Sequence, residues 1–165
     1  MKKKTEQKPP VESFAERAGL LKNRKAGRRM LLYLSGAITN CPGCYRLKFD
    51  LAEMLLKDRG HIVINPAHDP KPGSTYPDFL AEDISVLTEL SGYNRLLHGQ
   101  LSLYLPNSFF PLPAVCIVDT FDVYSVGREV ECRYANVRGI PTIRIETLVE
   151  DFGKILQRAK EEGVL

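Results

Sequence analysis

The sequence predicts an α/β fold, with a parallel sheet of four to five strands in a Rossmann-like or flavodoxin-like three-layer sandwich. Three observations support this prediction. Short apolar runs typical of buried strands alternate along the chain with segments whose apolar residues recur at helical spacing. Loops rich in Gly and Pro separate these elements. The strictly alternating order of strands and helices is typical of a parallel sheet covered by helices on both faces.

Four apolar runs predict the strands, at residues 30–35, 61–65, 114–119 and 142–145. Helices are predicted after each strand, because apolar residues recur every three or four positions there. The predicted helices are residues 46–57, a helix capped by Asp78, a helix that starts near Ser125 or Gly127, and residues 148–162. A chain of 165 residues is long enough for these elements to bury one substantial core.

The charge distribution divides the chain into a tail and a domain. Residues 1–29 hold ten Lys/Arg against three Glu, whereas residues 30–165 hold thirteen Lys/Arg against seventeen Asp/Glu. We expect residues 1–29 to be a basic extension, disordered over residues 1–10 and able to form a short basic helix over residues 11–29. The α/β domain is expected to span residues 30–165, with an insertion at about residues 91–113 that several Gly and Pro interrupt.

Composition sets the expected partners and compartment. No apolar run approaches the roughly 18 residues of a membrane span, and the N-terminus lacks the apolar region of a secretory signal. We therefore expect a cytoplasmic protein without membrane contact. The basic tail could bind nucleic acid, but a solvated leader is the favoured interpretation. Cys41 and Cys44 could form a redox pair or half of a zinc site; a second Cys/His pair at ligand spacing is missing, so no metal or cofactor is predicted.

Polar residues occur at three places where strands of the predicted sheet end or helices begin nearby. The first is residues 33–39, the second is the helix that carries Asp83, and the third is residues 125–131. The carboxyl ends of parallel strands are where open α/β sheets bind ligands. A glycine turn beside a helix N-terminus suits an anionic group, and two carboxylates suit glycosidic chemistry if they lie about 5 Å apart.

Several ordered motifs resemble the nucleoside 2-deoxyribosyltransferase-like superfamily, which includes nucleotide N-glycohydrolases. The likeness is greatest to a poorly characterised bacterial and phage branch, and it covers about residues 30–146 without the insertion. The motifs are Tyr33-Leu34-Ser35-Gly36-Ala37-Ile38-Thr39 with Pro42, Arg46 and Phe49; Arg59-Gly60-His61 through Asn65-Pro66; Tyr76, Leu80 and Asp83; Ser125, Gly127, Glu131, Tyr134 and Ala135; and Arg138-Gly139-Ile140-Pro141. The chain departs from the superfamily at Leu112-Pro113, where an Asp is usual, and in the longer segment after Asp83.

The resemblance implies a reaction and a set of site residues. Glu131 would be the nucleophile that attacks the anomeric carbon, Asp83 the acid/base, and Tyr33 a residue that orients the carboxylate or the sugar. The substrate would be a nucleoside or nucleoside 5′-monophosphate, with water favoured as the acceptor over a second base. A homo-oligomer is expected, because neighbouring subunits commonly complete such sites. The implied substrate-binding residues are Ser35, Gly36, Ala37, Ile38, Thr39, Arg46, Ser125 and Gly127.

Some alternatives stay open at this level. Glu129 is a rival nucleophile, although the spacing from Gly127 favours Glu131. Ser125 favours a 5′-monophosphate, since hydrolases of monophosphates typically have Ser where the transferases have an acid that would repel phosphate. A domain that only binds or senses nucleotides, with carboxylates that hold ribose, is the alternative from another functional class.

Overall fold

The computed structural model describes residues 10–21, 28–38, 45–67, 75–99, 110–119 and 124–164. Its centre is a sheet of four parallel strands in the order β2-β1-β3-β4. The strands are β1 (Met30–Ser35), β2 (Ile62–Ile64), β3 (Leu112–Ile117) and β4 (Thr142–Arg144). This order is typical of flavodoxin-like doubly wound sheets, so the predicted fold class is confirmed.

Five α-helices and one short 3₁₀ turn surround the sheet in the described ranges. They are α1 (Pro10–Arg17), α2 (Tyr45–Asp58), α3 (Tyr76–His98), α4 (Val126–Val137), the 3₁₀ turn Ile145–Thr147, and α5 (Phe152–Glu161). None of these helices is long and apolar enough to cross a membrane. The predicted helices at residues 46–57 and after Ser125 agree with α2 and α4 to within a residue or two.

The hydrophobic core lies in two layers, one on each face of the sheet. On one face, α1, α2 and α5 pack their apolar sides together through Phe14, Phe49 and Phe152. On the other face, α3 and α4 contribute Leu87 and Ala135, among other residues. Alternate residues of β1 point to opposite faces, as the pleat requires: Leu32 and Leu34 join the first layer and Tyr33 joins the second. The result is a three-layer sandwich.

Helix α3 differs most from the sequence prediction. The insertion was expected to begin at residue 91, but the helix continues to His98. It continues because Leu90, Asn94 and Leu97 still face the core, and packing outweighs the cost of roughly 1 kcal/mol for Gly92. Asp78 is not the N-cap; Thr75 is, and Asp78 accepts hydrogen bonds from the Thr75 backbone N–H and hydroxyl as the third residue of a capping box.

Three smaller boundaries also differ. Strand β3 starts at Leu112 rather than residue 114, because Leu112 and Pro113 pair in register with β1. The last helix starts at Phe152 rather than residue 148, since the 3₁₀ turn precedes it. The N-terminal helix ends at Arg17, close to Gly19, which has a positive φ of 63°. The predictions on residues 1–9, Thr39, the Cys41–Cys44 pair and residues 100–109 lie outside the described residues.

His61, at the start of β2, joins the N-terminal ends of the first two strands. Its ring is 5% exposed, and its Nδ1 accepts a 3.2 Å hydrogen bond from the Met30 backbone N–H. Burial, followed by the charge of Arg59, lowers the pKa of His61 below its usual 6.5. A lowered folded-state pKa contributes stability that is fully present above the unfolded pKa and is lost as the pH falls through the folded value.

We therefore expect the wild-type protein to lose roughly 1 kcal/mol of unfolding free energy, the value of a buried hydrogen bond, between pH 7 and acidic pH. In His61→Asn the amide oxygen can accept from Met30 but does not titrate, so this acid loss should be reduced. Urea unfolding of both proteins across pH 5–7.5 measures the difference. Parallel pH profiles for the two proteins would show that His61 does not cause the acid loss.

Candidate functional site

A cleft of about 330 Å³ opens at the topological switch point of the sheet, between β1 and β3. From β1 the chain crosses to β2 on one side, and β3 lies on the other side, so a crevice forms at the carboxyl ends of these strands. Four segments build most of its wall: the turn after β1, the end of β2, the first two turns of α3 and the first turns of α4. The lining residues are Gly36, Ile38, Tyr45, Pro66, Ala67, Tyr76, Phe79, Leu80, Asp83, Ser125, Gly127, Arg128 and Glu131.

Glu131 is a buried carboxyl group on the inner side of α4. Only 7% of the residue is exposed, and its Oε2 accepts a 2.5 Å hydrogen bond from the Ser35 hydroxyl at the end of β1. Burial is the main cause that raises its pKa, to about 8; the negative charge of Asp83 adds to this, and the Ser35 hydrogen bond opposes it. Glu131 therefore holds a proton near neutral pH.

Asp83, a half-buried residue of α3, also lines the cleft and interacts with Glu131. Burial raises its pKa above the usual value, and the interactions with Tyr33 and Glu131 oppose that rise. Burial raises the pKa of both carboxyls, so it favours a proton on the pair, and the two groups titrate together.

Tyr33 lies below the two carboxyls on β1. It is fully buried, and its hydroxyl lies close enough to the Asp83 carboxyl to interact with it. Burial raises the pKa of Tyr33 well above 10, and the charges of Glu131 and Asp83 raise it further. The phenol is therefore a neutral O–H group placed beside two acids.

The turn after β1 brings its backbone close to β3. A Cβ on Gly36 would lie 2.8 Å from Val118 Cγ2 and 3.0 Å from Asp119 Oδ1, so a larger residue would force this turn away. Ala37 is fully buried behind the cleft, and Ile38 is 37% exposed at its wall. Thr39 lies outside the described residues. The absence of a side chain at Gly36 therefore lets this turn pack against the end of β3, and Gly36 itself lines the cleft.

The first turn of α4 is the second segment whose backbone borders the cleft. Ser125 is the N-cap, and its hydroxyl accepts a 3.4 Å hydrogen bond from the Arg128 N–H. Gly127 faces Tyr76, whose hydroxyl would lie 3.0 Å from a Cβ at that position. Ser125 and Gly127 both line the cleft, as do Gly36 and Ile38 on the other side. The structure thus brings together the turns that the sequence motifs predict to bind substrate.

Two charged residues of the sequence analysis lie elsewhere. Glu129 points away from the cleft and pairs with Arg133 at 2.8 Å on the exposed side of α4, so Glu131 is the glutamate of α4 that lines the cleft. Arg46 is an exposed residue of α2, and its Nε lies 3.5 Å from the Tyr45 hydroxyl. Tyr45, rather than Arg46, lines the cleft.

Comparison with known proteins gives one match. Residues 30–97 match the family model of DUF4406, a domain of unknown function. The matched segment is less than half of the chain; it runs from β1 into α3 and includes Tyr33 and Asp83, but it ends before α4 and Glu131. No curated protein matches, and no solved structure matches. The DUF4406 match therefore describes one half of the site and assigns no activity to it.

The sequence analysis missed a buried ionic network behind the cleft, centred on Asp119. This residue follows β3 and is fully buried. Its carboxylate accepts hydrogen bonds from the Ala37 N–H at 2.8 and 3.0 Å, from the Arg128 guanidinium at 3.0 Å, and from the Lys48 ammonium. Lys48, itself 6% exposed, lies on the apolar side of α2 beside Leu51 and Ala52. A lysine within a buried helical stripe is the sequence signal that could have predicted this network.

Metal binding has no support in the described ranges, since no group of three or more His, Cys, Asp or Glu is placed to hold an ion there. The acids of the site instead face each other, a hydroxyl, or basic side chains. The arrangement can hold and move a proton between two carboxyls, and it can present backbone and guanidinium N–H groups to a ligand.

The raised pKa of Glu131 has a measurable effect on stability. Its folded pKa of about 8 lies above the unfolded value of 4.5. The folded state therefore binds more protons between these values, and the wild-type contribution, fully present below about 4.5, is lost as the pH rises through about 8. Gln is neutral throughout and can keep the Ser35 contact. We expect Glu131→Gln to gain stability over wild type by on the order of 1–3 kcal/mol between pH 5 and pH 8.

Thermal or urea unfolding of the two proteins across this pH range measures that gain. Glu129→Gln is the matched control on the same helix; its side chain is 41% exposed, so its effect should stay within about 0.5 kcal/mol and change little with pH. An equal pH trend in the two variants would contradict a raised pKa of Glu131.

Proposed function

We propose that this protein cleaves the N-glycosidic bond of a nucleoside or nucleoside 5′-monophosphate, through a glycosyl-enzyme intermediate on Glu131. The observation that carries the proposal is the pair of interacting carboxyls in one cleft, the buried Glu131 and the half-buried Asp83. Two carboxyls of this kind suit a glycosidase, in which one group attacks the sugar and the other handles the proton of the leaving group.

In the first step, an ionised Glu131 oxygen attacks the anomeric carbon. A bond forms between this oxygen and the carbon, and the bond from the carbon to the base nitrogen breaks with its electron pair on the base. The base takes the proton of Asp83 as it leaves. In the second step, Asp83 accepts a proton from water while the water oxygen attacks the same carbon and Glu131 is released. The pair then carries one proton, as it did before the first step.

The protonation state of the pair bears on this mechanism. Burial favours a proton on the pair, and the reaction needs that proton on Asp83 while Glu131 is ionised. A shift of this one proton from Glu131 to Asp83 produces the reactive form without exchange with solvent. Ser35 supports the ionised form of Glu131 through its hydrogen bond, and the neutral Tyr33 hydroxyl can donate to either carboxylate or to the sugar.

The proposal extends to the acceptor, the substrate contacts and the assembly of the protein. Water is the favoured acceptor, with base exchange to a second nucleobase as the other form of the reaction. Gly36, Ser125 and Gly127 would meet the sugar or its 5′ substituent, since they line the cleft beside the carboxyl pair. We also propose a cytoplasmic homo-oligomer that acts on small molecules without nucleic-acid partners. Exposed Val126, Val130 and Val137 on α4 supply apolar surface for self-association.

A non-catalytic nucleotide-binding or sensing domain is the second candidate. One observation favours it: Glu131 holds a proton near neutral pH, and a neutral carboxyl is not a nucleophile but can hydrogen-bond a ribose hydroxyl. The two functions differ in whether free base appears. Incubation of the protein with a panel of nucleosides and 5′-monophosphates, followed by chromatography of the released base, distinguishes them.

Variants of the pair sharpen this test. We expect Glu131→Gln to abolish base release, with a loss of at least about 1000-fold, because the nucleophile is removed while the fold is kept. Asp83→Asn should slow release most for substrates whose bases leave poorly, since it cannot supply a proton. Glu129→Gln should keep wild-type rates. Activity that survives Glu131→Gln but not Glu129→Gln would contradict the role of Glu131.

The pH dependence of kcat/KM provides a separate prediction. The reactive form of the pair holds one proton, so activity should fall above about pH 8 as that proton is lost, and fall in acid as Asp83 and Glu131 are both protonated. Steady-state rates measured between pH 4 and pH 10 should trace a bell. A rate that is constant from pH 5 to pH 9 would show that the pair does not exchange a proton in the reaction.

A further inference from the structure

Three charged side chains meet behind the cleft at the carboxyl end of β3. The Asp119 carboxylate is fully buried and contacts the Lys48 ammonium and the Arg128 guanidinium. The Lys48 ammonium also donates to the Ala37 carbonyl oxygen at 3.0 Å. Two cations therefore share one carboxylate, and the cluster carries a net charge of about +1 if each group has its usual charge.

Of these three residues, Arg128 is the one that lines the cleft. Its side chain is 17% exposed, whereas that of Lys48 is 8% exposed and that of Asp119 is fully buried. The positive charge of the cluster thus reaches the cleft through the Arg128 guanidinium. Arg128 Nη1 donates to Asp119 Oδ2 at 3.0 Å, which restrains the guanidinium, and the planar N–H groups of a guanidinium suit the recognition of a phosphate.

Asp119 also fixes the opposite wall of the cleft. The Ala37 N–H donates to both of its carboxylate oxygens, and the neighbouring Gly36 packs against the same carboxylate. A further contact holds the Asp119 backbone, since Arg144 Nη2 donates to its carbonyl oxygen at 2.9 Å. One carboxylate therefore links the turn after β1 to the first turn of α4, the two segments that would surround the substituent of a ligand sugar.

We propose that Asp119 is a positioning residue: it holds the Arg128 guanidinium beside the turn at Gly36, and it thereby gives the cleft its preference for ligands that carry a phosphate group. Asp119 acts through Arg128 and does not touch the ligand. Lys48 balances the charge of Asp119 in the interior, where an unpaired carboxylate would be strongly unfavourable. This inference rests on the proposed function for the nature of the ligand, and it narrows that function to nucleoside 5′-monophosphates.

The test measures binding in the Glu131→Gln protein, so that no ligand is consumed. The probes are the four ribonucleoside and four 2′-deoxyribonucleoside 5′-monophosphates and the eight matching nucleosides, titrated by calorimetry. We expect at least about 10-fold tighter binding of the preferred monophosphate than of its nucleoside. Adding Arg128→Gln should reduce this preference by about 10- to 100-fold, the range for charge-assisted hydrogen bonds, while nucleoside affinity changes less than about 2-fold.

A double-mutant cycle tests the positioning role itself. Adding Asp119→Asn should reduce the phosphate preference to a similar extent as Arg128→Gln, and the two changes together should reduce it no further than Arg128→Gln alone. A merely structural role would weaken nucleosides and monophosphates equally and add to the effect of Arg128→Gln. Arg133→Gln, which removes an exposed arginine from the same helix, is the control and should leave the preference unchanged.

A second variant covers the case in which Asp119→Asn leaves Lys48 unpaired and does not fold. Lys48→Met combined with Asp119→Asn removes both buried charges and keeps their approximate volumes, and it should show the same loss of phosphate preference. Equal affinity for nucleosides and monophosphates in the Glu131→Gln protein, or full preference after loss of Asp119, would overturn the inference. If the wild type releases base from nucleosides and monophosphates without preference, the inference is overturned but the proposed function is supported. If the protein prefers monophosphates but releases no base, the inference is supported and the proposed function is overturned.

Discussion

Burial of acidic groups at the carboxyl edge of the sheet is the constraint on which the rest of this structure depends. Asp83, Asp119 and Glu131 all come to the point where β1 and β3 end side by side. Taking a carboxylate out of water costs several kcal/mol unless cations or hydrogen-bond donors replace the lost hydration. The surrounding elements give Asp119 two cations and a backbone N–H, whereas the acids of the cleft have hydroxyls and each other. This difference separates Asp119, which has a structural role, from Asp83 and Glu131.

The fold brings these groups together because its connections are parallel. Each crossover returns the chain to the same edge of the sheet, so residues that are far apart in sequence meet where the strands end. Ser35 and Glu131 are 96 positions apart and form a buried 2.5 Å hydrogen bond; Ala37 and Asp119 are 82 positions apart and form two. These contacts need a stiff frame, and the two apolar layers on the sheet faces provide it.

The sequence predicted best those elements whose apolar residues follow one clear period. Strand β1 and helix α2 were predicted to within a residue or two, because a short apolar run indicates a buried strand and a regular apolar stripe indicates a helix. The C-terminal half of α3 was not predicted, because Gly92 suggested a break in the helix. The contacts that extend the helix, the packing of Leu97 and the hydrogen bond from Asn94 to Gly139, are tertiary contacts that a local pattern does not show. The Asp119 network was missed for the same reason. Lys48 and Asp119 are 71 positions apart in sequence, and only the topology joins α2 to the end of β3.

The two kinds of buried acid differ in what surrounds them, and this difference sets what each can do. Asp119 is held by two cations and a backbone N–H, which fix its position. The described contacts of Asp83 and Glu131 are with each other and with the hydroxyls of Ser35 and Tyr33, so burial favours a proton on the pair. An acid fixed by cations is suited to holding other groups in place. Acids that share a proton inside a cleft are suited to passing it to a bound molecule. When the environments of two carboxyls push their pKa values apart, one carboxyl can serve as the acid and the other as the base.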